Sequence, residues 1–364
     1  MPSEVGPGDI VTVADDDGEV AVAFADPDSP IRARVLAPPG TRLDAGWTRD
    51  RAETAAIHRT RDPLLASCTG RRLVHGEADA CPGLVVDLYA TTAVVVFDGP
   101  AAAVFWRPRL ADVLAGLERG GAVIEHGWLR GERRRTAGTS SAGETVRGDP
   151  PAELVIAEDD ARFAVDVRAG QKTGFFLDQR DNRRAIRRHA AGQTVLNLFA
   201  YTGGFSIHAA LGGATRVTSV DIAPPAIAGL EHNVALTGLP AATHERIATD
   251  AFDFLARAAK QGRRWDLVIA DPPSFAPSER AKPAALAAYR KLAAAALAVT
   301  EPTGRFALAS CSSHITEAEL LDQVASLEVA APLRLRAAAG AASDHPVLPA
   351  FPEGRYLKFL LFDL

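Results

Sequence analysis

Two side chains stand where short apolar runs end and could act on one substrate. Cys311 follows Ala-Leu-Ala-Ser in ALASCSSHI, and Asp271 follows WDLVIA and precedes Pro272-Pro273-Ser274-Phe275. The paired prolines stiffen the turn and fix the carboxylate at the carboxyl edge of a sheet, where ligands bind in open α/β folds. A cysteine in a core is ordinarily a small hydrophobe. Cys311 differs because it ends a strand in a Ser-Cys-Ser-Ser context, where a thiol would meet substrate. A thiolate there suits addition to carbon 6 of a pyrimidine, which raises electron density at carbon 5 and splits one hard step into two. Asp271, protonated or hydrogen-bonding, would hold ring nitrogen 3 as charge builds there. Thr316-Glu317-Ala318-Glu319 reads as a capping box, so His314 lies in the turn before it and reads as a turn residue.

A second constellation lies upstream. NLFAYTGGFS, Asn197 to Ser206, puts Gly203 and Gly204 directly after a buried strand and before a helix, where backbone can approach a ligand and free N–H groups are offered. The following strand ends SVDIA, placing Asp221 to accept hydrogen bonds from ribose hydroxyls, with Ile222 beside it. The run Asn197, Phe199, Ala200, Tyr201, Thr202, Gly203, Gly204 departs from the G-x-G-x-x-G dinucleotide fingerprint. It resembles the cofactor loop of class I S-adenosylmethionine (SAM)-dependent methyltransferases. That resemblance implies that Asp250, followed by Ala251, contacts the adenine amino group and that Asn233 sits on the helix after Asp221; the alternatives are a helix N-cap and a surface helix residue. The positive sulfonium of such a donor, with helix N-termini, would lower the pKa of the Cys311 thiol. Amino-group methyltransferases carry an aromatic residue directly after Pro-Pro; Ser274 stands there instead, which argues against exocyclic-nitrogen chemistry.

The elements that must hold these groups follow from periodicity. From Gln193 onward, uniformly apolar runs (194–200, 217–222, 267–270, 305–309) alternate with helical segments, the pattern of a parallel sheet covered on both faces. The last runs, 333–337 and 356–362, have no long helix between them, so the final pairing is predicted antiparallel. Residues 10–36 alternate apolar and polar positions and read as a small antiparallel β module. Between the two lies an α+β segment, with a helix over 50–59, a hairpin of 84–89 and 93–98, a helix over 108–118 and a second hairpin of 154–157 and 162–167. Residues 131–150 are almost devoid of apolar side chains and read as a long exposed loop.

GQKTGFFLDQRDNR (170–183), NLFAYTGGFS, DPPSF, SCSSH and DHPVLPAFPEGRYLK (344–358) together resemble the bacterial 23S ribosomal RNA cytosine-5 methyltransferases of the RlmI type. GDIVTV…SPIRARV resembles their PUA part and GEADACPGLVVDLY (76–89) the start of their middle domain, so the likeness spans nearly the whole chain. It implies an α/β class I methyltransferase with a Rossmann-like sheet and an antiparallel last strand. Its parts would be a PUA-like β module over 1–45, shortened at its start, an α+β middle domain over 46–168 and a methyltransferase domain over 169–364. It also implies Cys311 as nucleophile, Asp271 as the acid of the DPP motif, SAM as cofactor with Gln179 and Asp271 among its contacts, and 23S rRNA or a ribosome-assembly intermediate as partner. Two other readings stay open. One is methylation of a ring nitrogen such as guanine N7 with Cys311 as packing, and the other a non-catalytic RNA-binding assembly factor.

The chain has 364 residues, 47% hydrophobic and 23% charged, an ordinary globular balance. With 40 Lys+Arg against 45 Asp+Glu the formal charge is −5, so RNA must be met by a local basic patch. Arg180, Arg183, Arg184, Arg187 and Arg188 fall at i, i+3, i+4, i+7 and i+8 and would form one basic helical stripe for phosphate, with Arg133, Arg134 and Arg135 adding to it. A base inside a duplex cannot be reached by a fixed thiol, so the target should be unpaired or flipped out. Three scattered cysteines lack metal or disulfide spacing, and the longest apolar run, 292–299, is far short of the ~20 residues that span a bilayer. No metal, no membrane partner and a cytoplasmic setting are expected, and a homodimer stays open.

Overall fold

A computed structural model describes residues 4–131, 143–328 and 332–364. Arg133, Arg134 and Arg135 lie outside the described residues. The chain forms two compact units, 1–159 with 165–177 and 343–351, and 160–164 with 178–342 and 352–364.

In the first unit, β1 (Ile10–Asp15), β2 (Gly18–Ala25) and β3 (Ala33–Ala37) form an antiparallel sheet. A second sheet is ordered β4 (Gly70–His75), β5 (Leu84–Tyr89), β6 (Thr92–Phe97), β7 (His126–Leu129) and β8 (Glu144–Arg147). Helices α1 (Ala45–Thr60), α2 (Pro100–Trp106) and α3 (Leu110–Arg119) accompany it. Phe24 of β2 stacks on Phe105 of α2 with centroids 5.2 Å apart, and Trp47 of α1 stacks on Trp106 at 6.0 Å. The N-terminal β module and the α+β segment therefore share one apolar core. Gly116 lets α3 press on α1, because a Cβ there would sit 2.3 Å from the Arg49 carbonyl oxygen. β8 corrects the expectation of an uninterrupted loop over 131–150: a short strand with little apolar content pairs with β7. The strand β9 (Leu154–Glu158) follows.

The returning segment 343–351 belongs to this first unit through buried polar groups. Asp344 accepts the Arg72 amide at 2.9 Å and meets His345 Nδ1 at 2.8 Å, while Arg59 donates to the Asp344 carbonyl at 3.2 Å. Arg59 also pairs with Asp79, and Arg72 with Asp87. Burial and the neighbouring Arg72 guanidinium press the His75 pKa down to about 2, so its ring stays neutral.

The second unit begins with β10 (Ala161–Val165) and α4 (Arg180–His189). Its sheet is built from β11 (Thr194–Leu198), β12 (Arg216–Asp221), β13 (His244–Ala248), β14 (Trp265–Ala270), β15 (Thr300–Ser310), β16 (Arg334–Ala339) and β17 (Lys358–Asp363). Their order is β13-β12-β11-β14-β15-β17-β16. The pairs from β13 to β15 are parallel, while β17 runs antiparallel between β15 and β16, as the missing crossover helix predicts. Helices α5 (Gly204–Leu211), α6 (Pro224–Leu236), α7 (Ala251–Lys260), α8 (Lys282–Leu297) and α9 (Glu317–Ala325) are the crossovers and their continuation. The apolar strand runs are buried on both faces: Leu196, Leu198, Val268 and Leu308 pack in one cluster, and Val195, Leu267, Ile269 and Ala307 in another. The strand order reverses beside β11, and the carboxyl ends of β11, β12, β14 and β15 lie at one edge of the sheet, where ligands bind in open α/β folds.

Candidate active site

β11 leads into a strained turn. Phe199 and Tyr201 have φ of 58° and 47°, and Gly203 has φ of 88°. Left-handed backbone at non-glycine residues costs of order 1–3 kcal/mol each and gathers where function over-determines it. The glycines also serve packing: a Cβ on Gly203 would lie 2.7 Å from Leu230 Cγ of α6, and one on Gly204 would lie 2.9 Å from Arg183 Cδ. Gly203→Val should therefore lower stability by about 1–3 kcal/mol and weaken binding of S-adenosylhomocysteine (SAH). Denaturation midpoints and calorimetry check this; unchanged values in both would remove the role given to the turn.

Asp221 stands at the tip of β12, half-buried beside this turn. Its Oδ2 accepts the Tyr201 amide at 2.8 Å and its Oδ1 the Ala223 amide at 2.9 Å. A carboxylate has about four acceptor sites, so both oxygens keep capacity for hydroxyl donors. Ile222 beside it is 69% exposed, an apolar side chain turned to solvent at the sheet edge. Carboxylate and aliphatic surface together match the ribose and the adenine face of SAM.

Several of the expected cofactor residues also hold structural hydrogen bonds. Asn233 is buried, donating to the Thr202 carbonyl at 2.9 Å and accepting the Ala164 amide at 2.8 Å, so its amide braces the glycine turn. It is not a surface residue. Asp250 is the N-cap of α7, its Oδ1 accepting the amides of Phe252 and Asp253 at 2.8 and 3.1 Å. Ala251, the first residue of α7, is buried, as is Ala200. Asn197 is buried and donates to Ser206 Oγ at 2.8 Å, which in turn meets Ser219 Oγ at 2.7 Å, pinning β11 to α5 and β12.

Asp271 projects from the carboxyl end of β14 and is half-buried. Its Oδ2 accepts Gln179 Nε2 at 3.0 Å, and Gln179 Oε1 accepts Asn182 Nδ2 at 2.7 Å. Gln179 is itself buried, so in this arrangement it orients the carboxylate. On the adjacent strand Leu308 pairs with Ala270, which brings Ser310-Cys311-Ser312 to the same edge. Ser310 and Ser312 are buried while Cys311 between them is half-exposed. Ser312 Oγ donates to the Ala276 carbonyl at 3.1 Å, tying the thiol's turn to the DPPSF turn. Beneath both, Phe275 packs on Tyr289 with centroids 4.9 Å apart. Burial pushes the Tyr289 hydroxyl up to about 12, with the charges of Cys311 and Asp271 adding to the rise. Tyr289 is a neighbour of the pair that its alanine-rich helix gave no means to single out. The capping box forms as expected, Thr316 Oγ1 accepting the Glu319 amide and Glu319 Oε2 accepting the Thr316 amide. His314 lies in the preceding turn, 3.3 Å from Glu279 Oε2.

The arginine stripe is helical, but it is not a solvent-facing surface. Arg180 and Arg183 are buried, Arg184 pairs with Asp181 at 3.2 Å and Arg187 pairs with Asp160. Arg188 alone of the five is exposed. The stripe turns inward because α4 packs on α5, with Arg183 lying over Gly204.

A family profile of S-adenosylmethionine-dependent methyltransferases matches residues 122–332. The "Ribosomal RNA large subunit methyltransferase" of Deinococcus radiodurans is 38% identical over 98% of this chain and 89% of its own length. The chain belongs to this family of SAM-dependent methyltransferases. "Ribosomal RNA large subunit methyltransferase I" of Aeromonas salmonicida is 33% identical over 97% of this chain and 90% of its own. Among solved structures, SMU.776, a candidate methyltransferase crystallised with SAH, superposes with a TM-score of 0.86 at 22% identity, covering 100% of this chain and 93% of that one. That likeness shows the fold. SAM is the family's cofactor, and the Asp221–Ile222 edge beside the strained turn fits it. No helix among the described residues is long and apolar enough to cross a membrane.

Proposed function

We propose that this protein methylates carbon 5 of a cytosine in large-subunit ribosomal RNA, with Cys311 as the nucleophile. The observation that carries the reading is the half-exposed thiol of Cys311, set between two buried serines at the sheet edge it shares with Asp271. The names of the relatives support the RNA class.

Bound SAM supplies an electrophilic methyl group. Asp221 and Ile222 would hold its adenosine end, and the turn from Phe199 to Gly204 would border it. The Cys311 thiolate forms a bond to carbon 6 of the ring, and the displaced π electrons move toward carbon 5 and nitrogen 3. Asp271, oriented by Gln179, holds nitrogen 3 as that charge develops. Once carbon 5 carries the methyl group, with SAH left as the demethylated product, its proton passes to solvent water and the electrons of that carbon–hydrogen bond re-form the ring double bond as the carbon–sulfur bond breaks and releases the thiolate. A stacked base is out of reach of a side chain on a sheet edge, so the cytosine must be unpaired or flipped.

The test is nucleoside analysis of ribosomal RNA incubated with enzyme and SAM. 5-Methylcytidine is the expected product. A methylated guanine would overturn the thiol's role in favour of ring-nitrogen chemistry, and SAH binding without any methyl transfer would favour a non-catalytic RNA-binding factor.

A further inference from the structure

Lys358 opens β17 and pairs in register with Ser310, the residue before Cys311. Lysine is almost never fully buried without a partner of opposite charge, yet Lys358 is only 4% exposed and no carboxylate pairs with it among the described residues. Its Nζ donates to two backbone carbonyls, that of Tyr356 at 2.9 Å and that of Ser312. The second belongs to the residue after Cys311. The ammonium thus grips the turn that carries the thiol.

We propose that Lys358 is a positioning residue for Cys311: its ammonium clamps the Ser310–Ser312 turn, and its unneutralised charge favours the thiolate over the thiol. This rests on the reading of Cys311 as nucleophile. Burial lowers the Lys358 pKa to about 8, and the negative charge that most opposes that fall is Cys311, ahead of Glu319. Each group therefore favours the other's charged form.

Four other titratable groups near this turn are acids or already face a carboxylate. Asp271 from the turn after β14 is an acid, and the Tyr289 hydroxyl on α8 has its pKa raised. Glu319 on α9 is engaged by Lys282 at 2.7 Å, and His314 faces Glu279. Lys358 is the cation that the strand pairing sets beside the thiol. In sequence Lys358 is only the last residue of DHPVLPAFPEGRYLK, a string that assigns it no role.

The test follows alkylation of Cys311 by iodoacetamide against pH in the full-length protein without RNA, read by peptide mass spectrometry. Cys68 and Cys81 are buried and serve as slow internal references. In the wild type the inflection is expected below the ~8.5 of an ordinary thiol. Lys358→Met should move it up by about one unit, and Lys358→Arg, which keeps the charge, should restore most of the shift. Calorimetric SAH binding confirms that each variant is folded. An unmoved inflection in a Lys358→Met protein that binds SAH overturns the proposal. A wild-type inflection at or above the ordinary value does so without any variant. Trapping with 5-fluorocytosine RNA separates the two failures. If wild type forms a Cys311 adduct while the inflection ignores Lys358, only this inference falls. If Cys311 forms none, the nucleophile reading falls with it.

Discussion

Cys311→Ala is expected to cut methyl transfer to RNA by on the order of 10⁴-fold or more while leaving SAH affinity within a few-fold of wild type. The size of the loss follows from the chemistry. Carbon 5 of an unactivated cytosine is a poor nucleophile, and no neighbouring group replaces a thiol that adds to carbon 6: Ser310 and Ser312 are buried and Asp271 is already engaged by Gln179. Removing the sulfur leaves Asp221, Ile222 and the strained turn intact, so the cofactor end of the site is untouched. Single-turnover methylation and calorimetry separate the two quantities. A Cys311→Ala enzyme retaining more than about one-tenth of wild-type rate would be inconsistent with covalent catalysis.

Asp271→Asn carries the next largest effect, a fall in kcat of on the order of 10²–10³-fold with little change in affinity for RNA or SAH. The amide is nearly isosteric, and its oxygen can still accept the Gln179 Nε2 proton that now goes to Oδ2 at 3.0 Å. Geometry is thereby preserved while the group proposed to meet nitrogen 3 changes from a carboxyl to an amide, which neither ionises nor passes on a proton. Gln179→Ala should give a smaller loss of the same kind, since it frees the carboxylate's orientation without altering its chemistry. Rates measured at saturating RNA decide the matter. A weakened KM with kcat unchanged would make Asp271 a binding residue only.

The parts of the fold that were legible are those where one local pattern has one physical solution. Apolar runs such as Leu267–Ala270 and Arg305–Ala309 can be satisfied only between two covering layers, and they are central strands. Asp221 at a strand tip and Thr316 ahead of Glu319 were readable because their partners lie within a turn or the next strand. The misses came where a residue's environment is set from far away in the chain. Spacing put five arginines on one side of α4 but could not say that Arg180 and Arg183 would be buried, Arg183 against Gly204 of α5. That Asn233 is buried was not legible either, because one of its partners, Ala164, lies 69 positions earlier. Asp250 followed the local rule instead: an acid two and three residues ahead of free amides caps its helix. Segment 343–351 joins the first unit through Asp344 and Arg72, a pairing that no short-range pattern encodes.

The most direct test of the central claim, that the Cys311 sulfur adds to the ring it modifies, uses RNA in which cytosine is replaced by 5-fluorocytosine, incubated with SAM. Fluorine at carbon 5 leaves no proton to lose after methyl transfer, so the carbon–sulfur bond cannot be cleaved by elimination. The expected result is a denaturation-resistant protein–RNA species mapping to the peptide that contains Cys311 and absent from Cys311→Ala. Methylation of natural RNA with no such species, or an adduct that persists in Cys311→Ala, would contradict the account.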